Sequence, residues 1–326
     1  MHMNKEPEPL KIDFSLLMDL RVDYAFKLLF AKGDPRMLIS LLNAIFANQK
    51  IPRVIKSLAI MNPNLERESG GDKLSILDIR AELDDGTSVL IEMHVHGLGE
   101  IKAKTIRSWA RAYGEVLEIG GSYTSQPPTV TIAFTDGQVE PLENNKNPDA
   151  GKNDEENNDK IHRLCMIMDV EDFTIPTNAM ELHYIDMKAF VKAVNKTDSA
   201  SIDDTEKTMF DKWLSVITQK EITDKSIIED ACKDEEEIYM AVSALERLNE
   251  DKYYRQAYAR RQDEIYYHNK ALAEKEQAER RTEQAELEIE QMKREKEQMR
   301  HEKEQMKTEI GKLRQEVAML QANQKT

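Results

Sequence analysis

Two stretches of alternating side chains, separated by a tight turn, constrain this chain more than any other feature. Residues 74–83 read LSILDIRAEL and residues 87–95 read TSVLIEMHV, with Asp84-Asp85-Gly86 between them. Apolar and polar residues that alternate with a period of two mark a strand buried on one face, and Asp-Gly between two such runs marks a hairpin. In the first run Leu77, Ile79, Ala81 and Leu83 share one face, and Asp78, Arg80 and Glu82 the other. In the second, Val89, Ile91, Met93 and Val95 oppose Glu92 and His94. The turn length sets the register. A two-residue Asp85-Gly86 turn pairs residues whose numbers sum to 171, sets Asp78 against Met93 and mismatches the apolar faces. A three-residue turn with Gly86 in the left-handed conformation pairs numbers that sum to 170 and sets Asp78 against Glu92. A slip of one residue turns every side chain over, so parity selects the second register. It predicts two carboxylates on one sheet face, with Cβ atoms ~4.5–5.5 Å apart.

Two carboxylates this close repel unless a cation lies between them or one takes a proton. A hard divalent ion such as Mg²⁺ is served by one or two carboxylates together with substrate phosphate and water. Taken alone, the pair is weak evidence of a site and reads more readily as polar side chains on an exposed sheet face. His94 stands two residues after Glu92 on the same face, where a neutral imidazole can orient or deprotonate water. If the strand continued, His96 would extend the pattern to E-x-H-x-H and favour Mn²⁺ or Zn²⁺; Gly97 argues for a corner there instead.

Around this hairpin the pattern is that of an α/β chain. Residues 14–31 place Leu16, Leu20, Tyr24, Lys27 and Leu28 at near-helical spacing, and Asp34-Pro35 opens a second buried helix over 37–47. Strands are expected at 51–60, 129–136, 161–170 and 180–190. Residues 101–119 read as a helix with Ile101, Ile106, Trp109, Tyr113, Val116 and Leu117 as its apolar stripe, stopped by Gly120-Gly121. The same helix carries Lys104, Arg107 and Arg111 as a basic stripe, which is either a phosphate-contacting or a solvated face. Residues 141–160 are acidic and nearly free of apolar side chains, and read as a flexible insertion. Residues 200–248 read as helical.

From about residue 249 the character changes. Ala278, Ala285, Met292, Met299, Met306, Leu313 and Leu320 recur every seven residues, with Ile289, Lys296, Lys303, Ile310 and Val317 at the companion core position. Glu288, Glu295, Glu302, Glu309 and Glu316 flank one side of this seam, and Lys293, Arg300, Lys307 and Arg314 the other. In a parallel, in-register pair Glu288, Glu295, Glu302 and Glu309 meet Lys293, Arg300, Lys307 and Arg314 of the partner helix; antiparallel packing would set like charges together. A parallel homodimer through residues 285–320 is therefore expected, against the alternative of a solvated single helix laced by i,i+4 ion pairs.

Composition limits the function classes. The net charge is −15, which argues against a polybasic nucleic-acid coat, because phosphate neutralisation needs excess cations. Residues 272–326 hold 12 basic and 13 acidic groups, so the acidity belongs to the front part. No apolar run reaches the ~18 residues that span a membrane, and the opening MHMNKEPEPL has no apolar stretch of signal-peptide length. Two distant cysteines, Cys165 and Cys232, exclude a disulfide framework and a zinc ribbon. The expected compartment is the cytoplasm.

Several stretches, in order, resemble one known family. DYAFKLLF (23–30), SLLNAI (40–45), LDIRAELDDGTSVLIEMH (77–94), RSWARAYGEVLEIGGSY (107–123), ELHYIDMKAF (181–190) and residues 244–264 are similar to the motifs of the Rpn recombination-promoting nucleases, a transposase-like branch of the PD-(D/E)XK nuclease superfamily. The resemblance covers about residues 13–270. It implies an α/β fold, a PD-(D/E)XK, restriction-endonuclease-like core with a central mixed sheet flanked by helices over 1–248, to which the heptads add a long C-terminal α-helical coiled coil over 249–326. It implies a metal-dependent DNA endonuclease using Mg²⁺ (Mn²⁺ possible), with Asp78 and Glu92 as metal carboxylates, His94 in the catalytic set and Asp23 as an added ligand. It also implies DNA contacts from Arg107 and Tyr113, with Arg111 and Lys104 beside them. His94 stands where the superfamily has Lys and this branch commonly has Gln. That departure leaves open a second reading, a catalytically silent, dimeric binding module.

Overall fold

The computed structural model describes residues 12–51, 53–61, 79–95, 98–115, 126–139, 160–196, 207–233 and 235–323. It divides the chain into two compact units, Met1–Asp263 and Glu264–Thr326. The first is built on a mixed six-stranded sheet of order β1-β2-β3-β4-β6-β5. Its strands are β1 (Leu58–Ile60), β2 (Ile79–Leu83), β3 (Ser88–His94), β4 (Thr129–Thr135), β5 (His162–Met166) and β6 (Met180–Asp186). β3, β4 and β6 run parallel; β1, β2 and the edge strand β5 are antiparallel to their neighbours.

The hairpin forms as its parity demands. Ile79 pairs with Ile91, Arg80 with Leu90, Ala81 with Val89 and Glu82 with Ser88, all sums of 170. The turn is the three-residue one. Gly86 sits at φ 82°, where a side chain would be strained, and its N–H donates to the Leu83 carbonyl at 3.0 Å. The Thr87 N–H is caught by Asp85 Oδ1 at 2.9 Å.

Pairing across the sheet sorts the side chains onto two faces. Val89, Ile91, Val130, Ile132, Phe134 and Ile185 share the first face and merge with one large core. Helices α1 (Asp23–Lys32) and α2 (Pro35–Asn48) supply Phe26, Phe30, Leu41, Leu42 and Phe46 to that core. Asp34 caps α2 by accepting the Arg36 N–H at 2.9 Å, with Pro35 as the first helical residue. The second face is covered by α3 (Ile101–Glu115) over a smaller cluster of Ile101, Ala133, Val139, Leu182 and Tyr184. α4 (Met187–Lys196) follows β6 directly. Further along, α5 (Met209–Ile217), α6 (Ser226–Lys233) and α7 (Glu236–Glu250) add Trp213, Leu214, Ile228, Val242 and Leu245 to the large core. Trp213 is fully buried, its indole N–H on Ser40 Oγ at 3.1 Å.

Several boundaries differ from the sequence expectation. Residues 14–22 are turns and irregular backbone, and α1 starts only at Asp23. The Asp19 carboxylate holds the Arg21 N–H and guanidinium, a local bond that competes with helix. The expected strand over 51–60 shrinks to Leu58–Ile60. The strand expected to reach residue 190 ends at Asp186, whose carboxylate accepts the Ala189 N–H at 2.9 Å and so starts α4. The stretch expected to be helical over 200–248 is three helices; Thr208 and Asp211 form a capping box that fixes where α5 begins. On α3 the expected stripe is wrong in part. Ile101, Thr105 and Ala112 are buried, while Ile106 is 46% exposed. Small residues let the helix lie close to the sheet, and Trp109 sits beside that line with its indole N–H on the Thr129 carbonyl at 3.1 Å. The 141–160 insertion, apart from Lys160, and Val116, Leu117 and Gly120-Gly121 fall outside the described residues.

The last helix, α8, runs Lys252–Asn323. Its first turns belong to the first unit, where the Tyr258 hydroxyl accepts the Asp19 N–H at 2.9 Å. In the second unit the heptad residues Ile289, Met292, Met299, Met306, Ile310 and Leu313 are all about half exposed, 47–62%. Among the described residues no helix is long and apolar enough to cross a membrane.

Candidate active site

Glu92 and His94 lie on the second face of β3, as alternation requires, at the carboxyl end of a parallel strand. Open α/β sheets bind their ligands at such ends. Register places Glu92 beside Ala133 of β4, and Ala133 beside Tyr184 of β6. Ala133 is fully buried and packs with Ile101 of α3 and with Leu182 and Tyr184. Glu92 is 2% exposed. Its Oε2 accepts from His94 Nε2 at 2.7 Å, while its Oε1 is buried with no hydrogen-bond partner among the described residues. An unpaired carboxylate oxygen inside a protein costs about 1–3 kcal/mol or more.

The Glu92–His94 bond also sets the imidazole. A neutral ring that donates from Nε2 keeps Nδ1 as its acceptor, and the His94 side chain is one-fifth exposed. Burial pushes the Tyr184 hydroxyl up to about 12, and the Glu92 carboxylate pushes in the same direction, so Tyr184 stays a neutral neighbour of the site. One row further along, His94, Thr135 and Asp186 are in register at the ends of the three parallel strands. Burial, aided by Asp136, raises the Asp186 carboxyl against the pull of the Ala189 and Lys188 N–H groups.

The other residues singled out by sequence fall as follows. Asp78 and His96 lie outside the described residues. Asp23 is held by Arg261 of α8: Oδ1 accepts from Arg261 Nε at 2.9 Å and from the Tyr24 N–H at 2.8 Å, and Oδ2 accepts from Nη2. Both its oxygens are thus engaged in tying α8 to α1. On α3, Lys104 pairs with Glu100 at 3.2 Å and Arg111 with Glu115 at 2.9 Å. Tyr113 stacks on Trp109 with ring centroids 5.1 Å apart. Arg107 is exposed and has no ion-pair partner among the described residues. Among those residues no group of three or more His, Cys, Asp or Glu could hold a metal ion. The donor set is therefore a single hard oxygen, Glu92 Oε1, beside an imidazole. It suits one edge of a hard cation's shell, with Asp78 as the candidate second carboxylate.

Sequence reasoning passed over a second polar cluster, on the first face. His162 Nε2 lies 3.0 Å from His183 Nδ1, and Asn48 Nδ2 lies 2.9 Å from His162 Nδ1. Asn48 donates to His162, which donates to His183; this leaves the His183 Nε2–H directed at Glu181, 3.8 Å away. Arg53 closes the chain with two bonds to Glu181, at 3.1 and 3.2 Å, and lies over the Phe46 ring. The signal was present: both histidines, like Glu181, sit at inward positions of their strands.

A family model described as a PD-(D/E)XK nuclease family transposase matches residues 20–274, and the chain belongs to that family. Searches of curated proteins and of solved structures gave no match. The family defines a nuclease-type protein, and the mixed sheet with flanking helices is consistent with its α/β fold.

Proposed function

We propose that this chain is a metal-dependent DNA endonuclease of the recombination-promoting type, acting in the cytoplasm. The observation that carries the reading is Glu92 Oε1, buried and without a partner among the described residues, at the end of a parallel strand in a chain of the nuclease family. Glu92 and Asp78 would hold a Mg²⁺ or Mn²⁺ ion. When bound, such an ion lowers the pKa of water and stabilises charge on a phosphate. The protein's own part falls to Glu92 Oε2 and His94. The carboxylate fixes the ring so that Nδ1 can accept a proton from water attacking phosphorus, as the ester P–O bond breaks. Arg107 is the best-placed α3 cation for a backbone phosphate, since Lys104 and Arg111 already face carboxylates. Asp23 is left out of the ligand set because Arg261 occupies it. The exposed heptad seam and its charge pattern support a parallel homodimer through 285–320, which would present two sites to two strands.

The test is plasmid cleavage by the purified full chain with Mg²⁺ or Mn²⁺. Wild type is expected to cut, and Asp78→Ala and Glu92→Gln to lose about 10³-fold or more. His94 in place of lysine favours the second reading, a silent binding module. That reading replaces the first if wild type is inert with both ions while His94→Lys or His94→Gln restores cutting. Light scattering on the full chain tests the dimer; a monomer at micromolar concentration removes it.

A further inference from the structure

We propose that Arg80 is a further catalytic residue, the fixed cation that holds a non-bridging oxygen of the phosphate cut at Glu92; this deepens, and rests on, the nuclease reading above. Register puts it beside the site. Arg80 of β2 lies directly across from Leu90 of β3. Leu90 and Glu92 are two residues apart on one strand, so Arg80 and Glu92 share the second face as diagonal neighbours. Their Cβ atoms are then ~7–8 Å apart, a gap that long side chains span. This part of the face is open. Ile79, Ala81 and Leu83 of β2 are buried, whereas the Arg80 side chain is 29% exposed and Glu82 is exposed. Glu92 thus lies between two side chains that reach solvent, Arg80 and His94.

Charge singles out the same residue. Glu92 is an acid, and His94 gains or loses its charge with a proton, so neither supplies a fixed positive charge. Attack of water on a phosphodiester adds negative charge to the non-bridging oxygens, and a guanidinium aimed at them stabilises the transition state. Arg80 is the only Lys or Arg among the described residues of β2, β3 and β4. It is oriented but not locked. Arg80 Nη1 donates to Glu115 Oε2 of α3 at 2.6 Å, and Arg111 Nε donates to Glu115 Oε1 at 2.9 Å. One carboxylate between two guanidinium groups leaves an excess of positive charge. The Glu115 side chain is 44% exposed, and an ion pair this open is worth little. A phosphate that presents two oxygens to the Arg80 fork can therefore take the place of Glu115.

The experiment is steady-state cleavage of a labelled DNA duplex by the full chain with Mg²⁺ or Mn²⁺. Arg80→Ala is expected to lower kcat about 10²–10³-fold with KM changed little. Arg80→Lys should recover part of the loss. Free guanidinium added to Arg80→Ala should also recover part of it, which a packing defect would not allow. Glu115→Gln releases Arg80 and should raise kcat/KM by up to about fivefold, the worth of an exposed ion pair. Thermal melts of each variant report its folding, and Arg80→Gln carries the test if Arg80→Ala does not fold. The role is overturned if a folded Arg80→Ala or Arg80→Gln cuts with wild-type kcat. It is overturned equally if Glu115→Gln loses as much activity as Arg80→Ala and guanidinium restores neither, which makes the pair a structural tie. If wild type itself does not cut with either ion, the nuclease reading fails and takes this role with it; the wild-type arm separates the two failures.

Discussion

The two faces of the same sheet are both buried, yet only one is complete. On the first face Val89, Ile91, Val130, Ile132 and Phe134 are at most 1% exposed and meet apolar side chains from the helices. On the second, the same strands bury Thr129, Thr131, Thr135 and Glu92 beneath and beside α3. Among the described residues Glu92 Oε1, Thr129 Oγ1 and Thr131 Oγ1 have no hydrogen-bond partner there, against His183 Nε2 on the first face. The first face maximises apolar burial, which is what holds a domain together. The second keeps unpaired polar atoms, which cost stability and are retained where chemistry or binding needs them.

The comparison breaks most sharply if each face is damaged in turn. Phe134→Ala removes an aromatic side chain packed 5.6 Å from Phe26 and should cost about 3–5 kcal/mol, read as a large fall in the urea midpoint. Glu92→Gln should leave that midpoint unchanged or higher, because it removes a buried charge with an unsatisfied oxygen. A large loss of stability in Glu92→Gln would make Glu92 a structural residue.

Next in size is the polar exception on the first face. Burial raises the Glu181 carboxyl, but His183 and Arg53 outweigh it and hold it below the usual range. Arg53→Ala would strand that buried charge and should cost about 3 kcal/mol, measurable by chemical denaturation. The cluster also predicts acid sensitivity. Burial first, then the neighbouring His183 ring, pushes His162 down to about 3, and burial lowers His183 as well. Between the ordinary ~6.5 of the unfolded chain and the lowered folded value, only the unfolded state takes up these protons. Stability is thus full above pH ~6.5 and falls by about 1.4 kcal/mol per pH unit for each ring below it. Denaturation midpoints at pH 7.5 and 5.5 should differ accordingly, and His162→Gln should flatten the difference.

The smallest expected effect concerns the turn. Gly86→Ala has room for a methyl group, with Pro127 Cβ as its nearest neighbour at 3.7 Å, but must adopt φ 82°. The strain should cost about 1–2 kcal/mol, seen as a modest drop in melting temperature, with the register intact.

What the sequence determined by itself is the part governed by local periodicity. Alternation and the Asp84-Asp85-Gly86 turn fixed the hairpin register, because a strand's side chains invert with every one-residue slip. The same parity put Glu92 and His94 on one face, and heptads marked the long helix. Tertiary structure alone decided what each polar group meets. Asp23 is followed by a helical motif in the sequence, but Arg261, 238 residues away, takes up its carboxylate. His162 and His183 carry no ligand spacing, yet β5 folding against β6 brings their rings together. Arg80 reads as one more outward side chain of its strand until α3 sets Glu115 against it. The physical reason is range. Side-chain periodicity acts over a few residues, whereas charge pairing, burial and hydrogen bonding act through space between strands and helices that the chain visits far apart.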